Sequence, residues 1–452
     1  MCAPQVDRFR HLVLLAAVAA GVHALVYAPI VSTHVETDSS TYQAAASKLL
    51  DGSYSTSLRD TFYYVYPVGF FEITGLRVDR SAWDAVERQA YRPPGYPLLL
   101  AAAGGGKSAA SEWTALVLQA LLVAASAWLL ALVVRRWWGP TPALVAAALY
   151  ALDPWSKRYA VLLLSETLAG LVAIASAYAF TRAWQERSVR WWAAAGALAA
   201  SLTLVRAVFA LAVPLVVLAA LLRASPIGSR LRGAVAVAVA ATVLLAPWLA
   251  WTTAVTGRTV LATWGEGYNL LWAAHGEGYG RPASEVEAGA PFRHDLASVY
   301  SLAPTTAELR ADPEAHPRYL VRADARLRGR ARALYAERLQ EEPLQVLWEV
   351  AYRAHFLWNA HQDWYQPGGA ALRGLQALDW ALIVLALAGL ALAGGGAARG
   401  VAVFLLVYTA VLAVHHVEAR FAIPLRGFFL AFAGFALVRL GTEARARWAR
   451  RR

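Results

Sequence analysis

Long unbroken apolar runs restrict this chain to membrane architectures. A helical bilayer span needs roughly 20 apolar residues, because the segment must satisfy all its own backbone hydrogen bonds. Residues 11–31, 113–134, 160–181, 233–256, 379–396, 401–416 and 422–440 meet that length or approach it. Residues 141–152 are short for a span, and residues 191–222 form one very long run with Arg206 at its middle. Arginine asymmetry decides the count. With the N-terminus inside and a turn at Arg206, ten spans put Arg8/Arg10, Arg135/Arg136, Arg182/Arg187/Arg190, Arg223/Arg230/Arg232, Arg399 and the tail Arg445–Arg452 on one side, as the positive-inside rule expects. Nine spans would put the arginine tail outside. The sequence therefore predicts an all-α integral membrane protein of about ten transmembrane helices.

Composition agrees. With 58% hydrophobic and 16% charged residues the chain is too apolar for a soluble globule. The formal charge of +12 comes from arginines flanking the apolar runs, which disfavours nucleic acid as a partner. The single cysteine, Cys2, excludes an intramolecular disulfide and a cysteine metal cluster. The first run is too long for a secretory h-region and lacks an obvious cleavage site, so it reads as an uncleaved signal-anchor.

Two long segments, 32–112 after span one and 257–378 after span seven, then face the exterior. They divide the chain into an N-terminal membrane module (1–256), an exterior region with amphipathic helices (257–378), and C-terminal spans with a basic tail (379–452). In the first loop, residues 92–97 read as turn and residues 98–103 as a short apolar piece ended by Gly104–Gly106. In the second, Leu327, Ala331, Leu334 and Leu339 follow helical spacing, and Leu344, Leu347, Trp348, Ala351, Tyr352 and His355 form another stripe. That stripe suits a helix on the bilayer surface and a packed helix equally.

Parity makes a prediction: polar residues at the exterior span ends form one group. They are Glu36 and Asp38, Arg92 and Tyr96, Asp153, Lys157 and Arg158, Ser165 and Glu166, Arg206, and His415, His416, Glu418 and Arg420. Ionised side chains beside a bilayer are hydrated, paired or in use, so they mark a functional site by default. Carboxylates among several cations at head-group level suit a phosphorylated lipid and a hydroxyl to be positioned or deprotonated. Ordinary structural roles compete: Asp38 as a helix cap, Asp153-Pro154 as a turn, Glu166 at a helix start, and Lys157 and Arg158 as head-group anchors. Adjacent His415 and His416 point apart and lack the spacing of a metal site. No glycine-rich loop follows a strand, which disfavours a soluble nucleotide-sugar donor.

The stretches Glu-Thr-Asp-Ser-Ser-Thr-Tyr (36–42), Tyr-Arg-Pro-Pro-Gly-Tyr-Pro (91–97), Asp-Pro (153–154) before Ser-Glu-Thr (165–167), Arg206 and Glu-Ala-Arg-Phe-Ala-Ile-Pro (418–424) resemble, in order, the C-type (GT-C) glycosyltransferases. The resemblance is to the branch of protein O-mannosyltransferases and the lipid A aminoarabinose transferase. It implies a polyprenyl-phosphate sugar as donor and a lipid, glycan or protein acceptor. It puts the catalytic acid on Asp38, with Glu36 two residues earlier as the rival, and a second acid on Asp153, to assist Asp38 or bind a divalent cation. It puts the donor phosphate on Arg92, Arg206 and Arg420, with Tyr96, Lys157 and Arg158 nearby. Glu166, His415, His416 and Glu418 complete the candidates. The high alanine and arginine content points to a bacterial inner membrane with both termini cytoplasmic. Two rival readings are a flippase, which leads one to expect mid-span charges and inverted repeats, and a polymerase or ligase using a lipid-pyrophosphate donor.

Overall fold

The computed structural model describes residues 3–30, 34–35, 37–57, 86–90, 92–262, 265–276, 292, 294–296, 298, 304–312, 314–359 and 370–451. Helix α1 (Ala3–Tyr27) leads to the amphipathic α2 (Thr37–Leu50) and a short antiparallel pair, β1 (Ser55–Ser57) with β2 (Val86–Arg88). Then come α3 (Gly95–Ala102), α4 (Ala109–Trp138), α5 (Pro140–Leu152), α6 (Pro154–Ala160), α7 (Glu166–Glu186), α8 (Val189–Val205), α9 (Ala212–Leu222) and α10 (Ile227–Thr256). The middle region folds as α11 (Glu266–Ala274), α12 (Thr306–Ala311), α13 (Ala315–Glu341) and α14 (Pro343–Trp358). Helices α15 (Ala370–Leu392), α16 (Gly396–Ala413) and α17 (Arg426–Ala449) close the chain.

Ten of these helices fall on the ten expected spans. Among the described residues five segments, which include most of α1 and all of α4, α10, α16 and α17, are long and apolar enough by themselves to cross a bilayer; shorter apolar helices include α5, α8 and the segment holding α9. The protein is a membrane protein. Val235, Val239 and Val243, one turn apart on α10, are more than half exposed, as a lipid-facing stripe requires. The interior is built largely from alanine, which lets helices approach closely: α8 packs along α7 and α10, α1 along α4 and α5, and α15 and α5 along α17.

Local chemistry sets the helix ends. Ser108 and Ser111 form a capping box at the start of α4, and Pro140 opens α5 just after Gly139. The long run at 191–222 breaks where expected: Arg206 is extended (φ −145°, ψ 115°) and a 3-10 turn, Ala207–Phe209, leads into α9.

The proline-rich turn differs from expectation, because Gly95, Tyr96 and Pro97 already belong to α3, whose first turn sits against the end of α8. A Cβ at Gly95 would lie 2.8 Å from the Leu204 carbonyl oxygen, so only glycine lets the two helices meet there. Gly104–Gly106 then reverse the chain with φ of +72° to +90°, a region that favours glycine.

The stripe on α14 faces outward. Leu344, Leu347 and Trp348 are 80%, 59% and 56% exposed, whereas Val346, Glu349, Arg353 and Phe356 are buried. Arg353 donates to the Ala413 carbonyl (2.7 Å) and to Tyr335 (3.1 Å), and Tyr335 donates to the Val414 carbonyl (2.8 Å). These bonds fasten the middle region to the chain just before His415.

Candidate functional site

Segments from five parts of the sequence meet at one end of the bundle. Asp38, in the first turn of α2, lies between two guanidiniums: Arg92 Nη2 is 2.9 Å from its Oδ1 and Arg420 Nη1 is 3.0 Å from its Oδ2. Arg92 also donates to Thr41 (3.3 Å) and Tyr42 (3.4 Å), and its guanidinium lies over the Tyr42 ring at 4.6 Å. Thr41 and Tyr42 stand about one helical turn after Asp38, so α2 presents all three side chains together.

Behind them, Arg206 contacts Glu166 (2.5 Å) and Ser165 (3.2 Å), and Ser165 meets the Tyr42 hydroxyl at 3.2 Å. Arg420 is held on its other side by Glu418, which lies 3.6 Å from His416 Nε2. The Phe421 ring backs both Arg206 (5.8 Å) and Arg420 (5.7 Å). Three carboxylates therefore face three guanidiniums. Side-chain exposure is 16% for Asp38, 11% for Arg92, 14% for Arg206 and 18% for Arg420, so the cluster is sheltered and still reachable.

Burial by itself would raise the pKa of Asp38, but the charges of Arg92, Arg420 and Arg206 outweigh it and hold the carboxyl at about 2. Glu418 is treated alike: burial pushes it up, and Arg420 and His416 bring it down to about 2.

An apolar groove lies within the bundle, lined among others by Ala177, Phe180, Leu202, Val216, Phe404 and Phe428. Leu202 is one turn before Arg206, and Phe404 one turn before Tyr408. Tyr408 stacks on Phe209 at 5.0 Å and donates to the Phe421 carbonyl at 2.9 Å.

Asp38, Arg92, Glu166, Arg206, Glu418 and Arg420 are thus brought together, with His416 beside Glu418. Glu36 lies outside the described residues. Tyr96 is buried beneath the cluster, edge-on to Tyr42, and donates to Gln119 (2.9 Å). Asp153 caps α6 by accepting from the Ser156 amide (2.8 Å), and its other oxygen pairs with Arg426 (3.0 Å). Arg426 also binds Asp379 (2.7 Å), which accepts from Trp155 (3.1 Å). Lys157 is fully buried and donates to the Tyr150 carbonyl (2.6 Å) and Ser156 (2.9 Å), while Arg158 is half-buried on the same short helix. His415 bonds its own helix at the Val411 carbonyl, and His416 stacks on Trp272 at 4.2 Å.

Among the described residues no group of three His, Cys, Asp or Glu side chains can hold a metal ion. Both Asp38 oxygens face guanidiniums. Sequence reasoning placed Ser165 in the group but missed Tyr42 and Phe421 as links, and Arg426 and Asp379 as the partners of Asp153. Arg426 and Asp379 did carry a signal, since a charge near the head of an apolar helix requires a partner.

Residues 92–251 match the family model for dolichyl-phosphate-mannose-protein mannosyltransferase. No curated protein matches the chain. The archaeal oligosaccharyltransferase AglB from Archaeoglobus fulgidus, solved with an inhibitory peptide and a dolichol-phosphate, superposes with a TM-score of 0.54 at 12% identity, over 99% of this chain and 52% of that one. The Archaeoglobus fulgidus oligosaccharyltransferase complex with Zn and sulfate gives 0.54 at 13% identity, over 96% and 50%. ArnT from Cupriavidus metallidurans in the apo state gives 0.40 at 16% identity, over 96% and 78%. The chain spans about half the length of the oligosaccharyltransferases it matches.

Proposed function

We propose that this chain, whose fold is that of the C-type glycosyltransferases, moves a sugar from a polyprenyl-phosphate donor to an acceptor hydroxyl or amine. The observation that carries the reading is Asp38 held between Arg92 and Arg420, with Arg206 beside them, and an apolar groove whose lining includes Leu202, one turn before Arg206. Guanidiniums match phosphate oxygens with paired hydrogen bonds, and the groove accepts a prenyl chain. The family model over residues 92–251 and the dolichol-phosphate in the AglB complex point the same way.

The acceptor oxygen or nitrogen attacks the anomeric carbon as the bond to the donor phosphate breaks, inverting that carbon. Asp38 orients the nucleophile and takes its proton. The phosphate leaves with the bonding pair, and the arginines neutralise its charge in a sheltered site, where preorganised electrostatics count most. Asp153 has no part in this sequence, because both its oxygens are committed to α6 and Arg426.

The protein sits, on this reading, in a bacterial inner membrane with both termini cytoplasmic and the cluster on the exterior face. Arginines gather at the opposite helix ends, as at Arg135, Arg136, Arg223 and Arg399.

The test is single-turnover sugar release from a panel of radiolabelled polyprenyl-phosphate sugars, using protein in nanodiscs, wild type against Asp38→Asn, with and without EDTA. Release by wild type alone, unchanged by EDTA, is expected. Equal release by the variant removes Asp38 from the chemistry, and loss with EDTA restores a metal. Absence of both release and donor binding favours the flippase.

A further inference from the structure

The two guanidiniums that hold Asp38 are also the ones best placed to receive the donor phosphate, so one set of contacts serves two anions. Each Asp38 oxygen carries its own arginine, at 2.9 Å and 3.0 Å. Arg92 also donates to the Thr41 and Tyr42 hydroxyls, whereas Arg420 is tied to a second carboxylate, Glu418. A carboxylate so engaged is a poor base: its lone pairs are occupied, and both cations favour the ionised form. Three carboxylates already meet three guanidiniums here, and a phosphate brings in an anion that must recruit existing cations.

We propose that donor binding unmasks Asp38: the phosphate draws Arg92, and in part Arg420, away from the carboxylate, so that Asp38 can engage an acceptor only after the donor is in place. This rests on the donor-phosphate reading above and deepens it. Glu418 is the positioning residue that keeps Arg420 at the site once its bond to Asp38 lengthens. The unmasked Asp38 takes the acceptor proton as the acceptor–C1 bond forms and the C1–O bond to phosphate breaks. After lipid phosphate leaves, the arginines return to Asp38. The order is donor first, acceptor second, which also protects the activated sugar from attack by water on an idle enzyme.

Masking has a measurable sign, because Asp38 competes with phosphate for the same guanidiniums. The experiment is binding of bare undecaprenyl phosphate, the probe without sugar, to wild type and Asp38→Asn in nanodiscs between pH 8 and pH 5.5. At pH 8 the variant binds about tenfold tighter, the scale of one charge-assisted hydrogen bond released from competition.

As pH falls the gap narrows. The masked Asp38 stays ionised throughout this range, being held at about 2. Freed from Arg92 and Arg420 and placed beside the phosphate, Glu418, Glu166 and Tyr42, it is drawn toward protonation, which favours the wild-type complex at lower pH. Ionisation of the probe itself cancels in the ratio of the two proteins.

Equal or weaker binding by the variant overturns the proposal. A tenfold gap constant across the range also overturns it, since simple removal of a negative charge would do the same. If neither protein binds the probe, the donor-phosphate reading itself fails, and masking with it. Melting curves of both proteins establish that the variant is folded, and Asp38→Ser replaces it if Asn does not fold.

Discussion

Replacing Arg426 should destabilise the bundle far more than any single substitution in the Asp38 cluster. Its guanidinium is 2% exposed and bridges Asp153 at 3.0 Å and Asp379 at 2.7 Å, two carboxylates that are themselves no more than 2% exposed. Arg426→Met keeps the length of the side chain and removes both bonds. Asp153 retains the Ser156 amide and Asp379 retains Trp155, but both lose the guanidinium that bridges them.

Breaking a buried ion pair by removing one partner costs about 3–5 kcal/mol, because a charge is left uncompensated. Equilibrium unfolding in mixed micelles, followed by tryptophan fluorescence, reads that loss directly. The triple variant Arg426→Met, Asp153→Asn, Asp379→Asn removes the charges together and should recover most of it. A loss below about 1 kcal/mol in the single variant would refute the reasoning, since it would mean that water or another cation already serves the two carboxylates.

Three further outcomes follow from the same geometry. Asp153→Asn should lose stability yet keep turnover per folded molecule, whereas Asp38→Asn should stay folded and lose turnover; activity normalised to the folded fraction separates them. Gly95→Val should lower activity without touching the cluster, because its Cβ meets the Leu204 carbonyl oxygen at 2.8 Å and pushes α3 off the end of α8 next to Arg206; undecaprenyl phosphate binding measures the displacement. Asp324 accepts from the Gly265 and Gly267 amides at 3.1 and 2.8 Å, and burial raises its carboxyl to about 6 despite those bonds and Arg328. Because the folded value lies above the ordinary value of 3.8, its contribution is fully present below pH 3.8 and is lost as pH rises through about 6. Asp324→Asn should therefore unfold at higher temperature than wild type at pH 8 and at nearly the same temperature at pH 4.

Arg206 shows what a sequence makes legible. An arginine in the middle of a 32-residue run with no other charge has either to break the helix or to be buried in use, and the structure does both: the backbone leaves the helix there and the side chain binds Glu166. The ten helices were legible for a related reason, since each apolar run has one stable form in a bilayer.

Asp153 and Lys157 show the limit. Both stand near a span end among the candidate site residues, and nothing local reveals whether such a residue turns toward the cluster or into the packing. The deciding partner, Arg426, is 273 residues away from Asp153 and reaches it only once α5 and α17 pack together. The α14 stripe is a second case. Its apolar residues face outward because the opposite face carries Glu349 and Arg353, which are satisfied by Arg338, Tyr335 and the end of α16. Periodicity identified the helix but not which of its faces is buried.

The measurement that bears most directly on the central claim is a structure of the protein in nanodiscs with undecaprenyl phosphate. The account predicts the phosphate among Arg92, Arg206 and Arg420, with the prenyl chain entering the groove between Leu202 and Phe404. A phosphate bound elsewhere, with Asp38 still held by both arginines, would contradict it.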